Sequence, residues 1–198
     1  TSPLRVFYSN RLYRALLRVW YTEETLIREV IEKRYGLTVG YGEPVDEFQN
    51  FTTDELQFVA SVLEDLPAGL RTIPGFKKIV RRRNGLVNPW HPGAPAIAHV
   101  GEGYVEFMDI AFSSGQAEYI QRLVAHEVTH FLWHLVLTKD TKQRFMNLSG
   151  WSEVAPEQWV HKTTTNFVSD YAATINPDED FAETMSYYVY NPDLVRTH

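Results

Sequence analysis

The chain contains no cysteine among its 198 residues. Disulfides and thiolate metal sites are thereby excluded, and a transition metal would have to be held by His, Asp or Glu. The lack of cysteine leaves the compartment open, because cytosolic and secreted proteins can both do without it. Nor is there an uninterrupted apolar run long enough for a transmembrane helix. A basic excess is missing too: 19 Lys and Arg stand against 25 Asp and Glu, a formal charge of −6. That balance argues against a nucleic acid partner. Internal repeats and low-complexity linkers are absent. The opening Thr1-Ser2-Pro3 has no initiator Met, basic segment or apolar signal core, so it reads as a mature or excised start.

With 44% hydrophobic residues the chain has the material for one buried core, built as a single domain of 1–198 with room for two lobes. Residues 1–50 read as an N-terminal helical segment. Leu12, Leu16, Val19 and Trp20, then Leu26, Ile27, Val30 and Ile31, recur at helical spacing over residues 9–35, with a break near Thr22. A helix over residues 53–65 starts from the Thr52-Thr53-Asp54-Glu55 cap signal and stops at Pro67. Residues 77–83 suggest a short basic strand, with Arg81, Arg82 and Arg83 at a solvated edge. Residues 96–100 and 104–108 read as strands joined by Gly101-Glu102-Gly103. Ser113 or Ser114 then caps a long apolar helix, with Glu118 in its first turn. Residues 139–170 look polar and irregular. A last helix follows the Asn176 cap and Pro177, with Asp178, Glu179 and Asp180 suited to the positive end of its dipole.

The chemistry concentrates in His126-Glu127-Val128-Thr129-His130, inside the apolar run from Tyr119 to Leu137. Histidines four residues apart share one face of a helix, about 6 Å apart along its axis. Both can bind one zinc ion, and the glutamate between them is placed to take a proton from a water that the metal activates. Burying two histidines and a glutamate among Leu123, Val124, Val128, Phe131 and Leu132 requires partners, and one zinc ion satisfies all three.

A catalytic zinc takes a third protein ligand and keeps one open position. His134 lies about 12 Å along the axis from His126, too far to join the same ion on an unbroken helix. The metzincin arrangement would place a histidine at position 136, where this chain has Val136. Glu183 is the better candidate: it lies a turn beyond the acidic helix start, flanked by Phe181, Ala182 and Met185.

The stretch from Phe167 to Ala173, then Asn176 to Glu183, resembles the zinc peptidases grouped with the anthrax lethal factor catalytic domain, to which bacterial Pro-Pro endopeptidases also belong. Leu148-Ser149-Gly150-Trp151 and the helix end Leu63-Glu64-Asp65-Leu66-Pro67 are similar as well, and the likeness spans about residues 50–190. The resemblance implies an α+β zincin-like fold over residues 51–198: a small mixed sheet packed on a central HExxH helix, with a C-terminal helical part. It implies one catalytic Zn2+ on His126, His130 and Glu183, a gluzincin ligand set. Glu127 would be the general base, and an upstream tyrosine, Tyr171, would assist, with Tyr187 and Tyr188 as competitors. His161 has no motif around it and reads as structural.

Thermolysin-like enzymes carry an Asp four residues after the glutamate ligand, where this chain has Tyr187 if Glu183 is that ligand. The expected activity is a metalloendopeptidase acting on a protein or peptide, with strand 104–108 as an edge for an extended substrate. Two other readings fit the same residues: a zinc-holding interaction domain that cleaves nothing, and a protease domain of a larger toxin or effector. Substrate preference, compartment and oligomeric state stay open.

Overall fold

The computed structural model describes residues 23–113, 117–162 and 167–197. The expected helical turns before residue 23 and the Ser114 cap lie outside them, as does the side chain of Glu118. The chain divides into two compact units, one formed by residues up to 72 with 76–115, the other by 73–75 with everything from 116 onward. The architecture is α+β. No described helix is long and apolar enough to cross a membrane.

The first unit begins with α1 (Glu24–Tyr35), which buries Ile27, Ile31 and Tyr35 and ends at Gly36 in the left-handed conformation that favours glycine. Then come β1 (Thr38–Gly40), a 3-10 turn at Val45–Glu47, β2 (Phe48–Gln49), α2 (Thr53–Asp65) and the single-turn α3 (Ala68–Arg71). A full capping box starts α2: Thr52 Oγ1 accepts from the Glu55 amide at 3.3 Å, and Glu55 accepts from the Thr52 amide at 2.9 Å. Its apolar stripe of Leu56, Val59, Ala60, Val62 and Leu63 is fully buried. Helices α1 and α2 are tied by Glu64, which accepts from Arg34 at 2.7 and 2.8 Å and from the Tyr35 hydroxyl at 2.7 Å.

The sheet adds β3 (Lys78–Arg82), β4 (Ala96–His99) and β5 (Tyr104–Phe107), and α4 (Asp109–Ser113) closes the unit. Its order is β1-β3-β5-β4, with β2 also paired to β3. Strands β1, β3 and β5 run parallel, whereas β2 and β4 are antiparallel to their partners. Two sequence expectations change here. Strand 104–108 is not an edge, because β5 is paired on both sides; the edge beside it is β4. Nor are Arg81 and Arg82 at a solvated rim, whereas Arg83, just past the strand, is exposed.

Arg81 and Arg82 are 3% and 5% exposed on the central strand. Arg81 meets Glu55 at 3.0 Å and Asp109 at 2.7 Å, and Arg82 meets Glu47 at 2.6 Å and the fully buried Glu106. Glu106 also receives Asn88 at 3.1 Å and His99 Nε2 at 2.8 Å. Burial would raise the Glu106 carboxyl, but His99, Arg82 and Asn88 together hold it below its ordinary value. The sequence displayed the guanidinium groups but not the carboxylates, 24 to 35 positions away in the chain for Glu47, Glu55 and Glu106, that neutralise them.

The second unit holds α5 (Ala117–Phe131), a wide π-type turn at Leu132–Val136, α6 (Lys139–Ser149), the hairpin β6 (Trp151–Ala155) and β7 (Gln158–His161), α7 (Pro177–Tyr190) and α8 (Pro192–Thr197). Helix α5 is central to this unit, burying Val124, Ala125, Val128 and Phe131 and packing chiefly against α7. Residues 139–161 form a helix and a hairpin rather than an irregular stretch. Thr138 caps α6 by accepting from the Thr141 amide at 3.2 Å, and Gly150 ends it in a left-handed conformation. Trp133, Phe145 and Phe181 form an aromatic group with ring separations of 5.0 to 6.0 Å, joining the wide turn, α6 and α7.

Truncating Glu106 leaves the buried Arg82 with Glu47 as its remaining carboxylate, and breaking a buried pair in this way typically costs about 3–5 kcal/mol. Urea unfolding of Glu106→Ala is expected to show a loss of that order. A loss below about 1 kcal/mol would mean that water reaches the network.

Candidate metal centre

The side chains of the centre come from two helices and one loop of the second unit. Residues 126, 127 and 130 sit in the last turns of α5, where apolar neighbours draw them inward: His126 is 7%, Glu127 6% and His130 9% exposed. Facing them is the first half of α7. Asn176 caps this helix through its Oδ1, accepting from the Asp178 and Glu179 amides at 2.9 and 3.0 Å, with Pro177 at the first helical position. The carboxylates at 178, 179 and 180 are therefore not merely complements to the helix dipole, as their position in sequence suggests. Each has an inward task. Asp180 is 2% exposed and accepts from Trp151 Nε1 at 3.0 Å.

Glu179, rather than Glu183, lies among the imidazole nitrogens. Its Oε2 is 3.1 Å from His126 Nε2 and 3.9 Å from His130 Nε2. One donor atom from each of His126, His130 and Glu179 falls within 4.8 Å of the others, a group that could hold a metal ion. Donors about 2.0–2.2 Å from a tetrahedral zinc stand about 3.3–3.6 Å apart, and the separations of 3.1 and 3.9 Å fall on either side of that range. Glu183 sits on the far side of His126, its Oε2 3.3 Å from Nδ1. The other Glu183 oxygen accepts from Ser169 Oγ at 3.1 Å and has Arg122 at 3.9 Å. Asp178 does for His130 what Glu183 does for His126, its Oδ1 lying 3.0 Å from Nδ1. Carboxylates only accept, so both Nδ1 atoms carry hydrogen and both Nε2 atoms face Glu179. This is the arrangement that prepares imidazoles for a metal.

Tyr171, the tyrosine expected near the centre, is close to it. Its hydroxyl donates to Glu179 Oε2 at 3.1 Å, and its ring lies 6.0 Å from that of His126. The loop carrying it is held from below by His161, whose Nε2 lies 3.0 Å from the Ala173 carbonyl oxygen and whose ring stacks edge-on against Trp151 and Phe167. His161 is thus structural, as read from the sequence. His134 stands outside the donor group and contacts Asp178 Oδ2 at 2.6 Å.

Charge is unevenly shared here. Glu127, Asp178, Glu179 and Glu183 surround two imidazoles, with Arg122 the guanidinium at Glu183. Burial alone would lower the His126 pKa, but hydrogen bonds to Glu179 and Glu183 and the charge of Glu127 push it up to about 10. His130 is raised in the same way by Asp178 and Glu127 against its burial. Asp178 goes the other way: burial would raise it, yet His130 and His134 hold it down to about 2. Protons on the imidazoles balance the carboxylates in the absence of a cation, and a divalent ion is the other way to balance them.

Comparison of the chain with protein-family models, with curated proteins and with solved structures found no match in any of the three. The chemistry of the donor set therefore carries the assignment. Glu179 and Asp178 are the residues that sequence reasoning missed. A signal was present: Glu179 and Glu183 repeat the four-residue spacing of His126 and His130, so two carboxylates share one helix face just as two imidazoles do.

The pH dependence follows from these shifts. His126 binds its proton more tightly folded than unfolded, so its stabilising contribution is complete below pH 6.5 and is lost as pH rises towards about 10. Asp178 contributes above the ordinary carboxylate range, and that contribution is lost as pH falls towards about 2. The metal-free protein should weaken as pH rises from about 6.5, while zinc, which displaces those protons, should bind about tenfold tighter per pH unit for each proton released. Thermal melts with and without zinc from pH 6 to 9 are expected to show a zinc-induced rise in Tm that grows with pH. A constant rise would contradict the proton–metal exchange.

Proposed function

We propose that the chain is a zinc-dependent endopeptidase of the HExxH type with a zincin-like fold over residues 51–198, holding one ion on His126, His130 and Glu179. The observation that carries this reading is the pairing of the two buried imidazoles: both Nε2 atoms face the Glu179 carboxylate, while Glu183 and Asp178 hold the two Nδ1 atoms. With Glu179 as third ligand, the position four residues on is Glu183, which restores the acidic spacing of thermolysin-like enzymes that Tyr187 had interrupted. The resemblance to the lethal factor group, which implied Glu183 as the third ligand, supports only the assisting role of Tyr171.

A zinc ion bound there supplies Lewis acidity, lowering the pKa of water and polarising a peptide carbonyl. The chain's own groups do the rest. Glu127, buried beside the imidazoles and close enough for its charge to act on His126, His130 and Tyr171, accepts the proton of the attacking water and passes it to the leaving amine. Burial, Glu179 and the other carboxylates keep the Tyr171 phenol protonated well above neutral pH. It is 47% exposed, so it can donate to the oxyanion that develops on the scissile carbonyl of an arriving substrate. Glu183, fixed by Ser169 and Arg122, keeps the His126 ring in one orientation. A zinc-holding interaction domain needs no general base at position 127.

Cleavage of a peptide library by wild type and Glu127→Gln, with zinc content measured on both, tests the reading. The variant is expected to keep its zinc and lose at least about 10²-fold in rate. Activity retained in Glu127→Gln would sink the proposed chemistry.

A further inference from the structure

We propose that His134 is a positioning residue: by holding Asp178 it fixes the orientation and tautomer of His130, and so sets how tightly the centre retains its metal. The inference rests on the metal-site reading above and adds a residue that stands outside the donor group. The Asp178 carboxylate is largely buried and gives one oxygen to each histidine, Oδ1 to His130 Nδ1 at 3.0 Å and Oδ2 to His134 Nε2 at 2.6 Å. A carboxylate fastened at both oxygens cannot rotate about its terminal bond without breaking one contact. With His134 removed, Oδ2 loses that restraint and the hydrogen bond to His130 becomes one option among several.

Local structure explains how His134 reaches this position. The α-helical ladder of α5 ends at Phe131, and the next five residues form a wide turn closed by the Leu137 amide on the Leu132 carbonyl at 3.0 Å. Such widened turns re-aim side chains and recur at functional positions. This one is anchored twice to α7: Trp133 packs on Phe181 with rings 5.2 Å apart, and His134 contacts Asp178 three residues earlier on the same helix. At its other end Asp178 is fixed by its own amide, which donates to Asn176 Oδ1 at 2.9 Å. The row His134–Asp178–His130 thus continues the series 126, 130, 134 along α5 without placing a third imidazole on the ion. It gives the second metal-facing histidine a two-step support, where His126 has Glu183 backed by Ser169 and Arg122.

The test is zinc affinity of the full chain by chelator competition, with the His130 Nδ1–H resonance followed by NMR, for wild type, His134→Ala, His134→Gln, Asp178→Ala and the His134→Ala/Asp178→Ala pair. Losing an outer carboxylate typically weakens metal binding about 10- to 100-fold, and loss of the group behind it is expected to weaken binding about three- to tenfold. His134→Gln, whose amide can donate to the same oxygen, should recover most of that loss. The double variant should bind no more weakly than Asp178→Ala alone, because His134 acts only through Asp178. The His130 resonance should shift or broaden in His134→Ala. Zinc binding in His134→Ala within twofold of wild type, or losses that multiply in the double variant, would overturn the positioning role while leaving the metal site intact. A wild type that does not bind zinc would overturn the metal reading and this inference together.

Discussion

The second unit depends on the pairing of buried imidazoles with buried carboxylates across α5 and α7. Two histidines on one helix face meet carboxylates spaced along the first turns of another, and no group in the cluster is tolerable alone in that environment. An unpaired buried carboxylate or imidazolium would be expelled or would change its protonation, so the helices must dock in this register for either set to stay buried. The apolar residues around them, Val124, Val128, Phe131 and Ala182, supply the drive to bury this surface. The charged groups select one alignment out of the several that apolar packing would permit. That selection is also what aims both Nε2 atoms at one point.

How much of this was legible in the sequence depends on the range of each interaction. The α5 histidines, the capping box at Thr52, the Asn176-Pro177 start of α7 and the 96–107 hairpin are local patterns, complete within a few residues, and all are where the sequence puts them. Helix α6 and the β6–β7 hairpin were missed because their apolar residues do not mark one face: Phe145, Met146, Trp151 and Trp159 pack inward, while Leu148, Val154 and Val160 are exposed. The candidate site itself is more instructive. Asp178, Glu179 and Asp180 had an adequate local explanation in the helix dipole, and that explanation concealed a second function of the same residues. A carboxylate at a helix start can satisfy the dipole and a partner across the interface at once. The spacing of Glu179 to Glu183, matched to that of His126 to His130, was the available clue.

The first unit repeats the theme with opposite sign. Arg81 and Arg82 lie on the central strand of the sheet because Glu47, Glu55, Glu106 and Asp109 converge on them from the 3-10 turn, α2, β5 and α4. Arg81 and Arg82 look like surface residues only while their partners, spread from Glu47 to Asp109, are out of view. In both units the polar core fixes alignment, and in the second unit the same alignment gathers a donor group that could hold a metal ion.

The central claim is that Glu179 completes the donor set and Glu183 and Asp178 stand behind the imidazoles. Diffraction from zinc-loaded crystals, measured on both sides of the zinc absorption edge, addresses it directly. The account predicts a single anomalous peak about 2.0–2.2 Å from His126 Nε2, His130 Nε2 and a Glu179 carboxylate oxygen, with Glu183 and Asp178 remaining on the Nδ1 atoms. A peak bonded to Glu183 instead of Glu179, or no peak at the histidines, would contradict it.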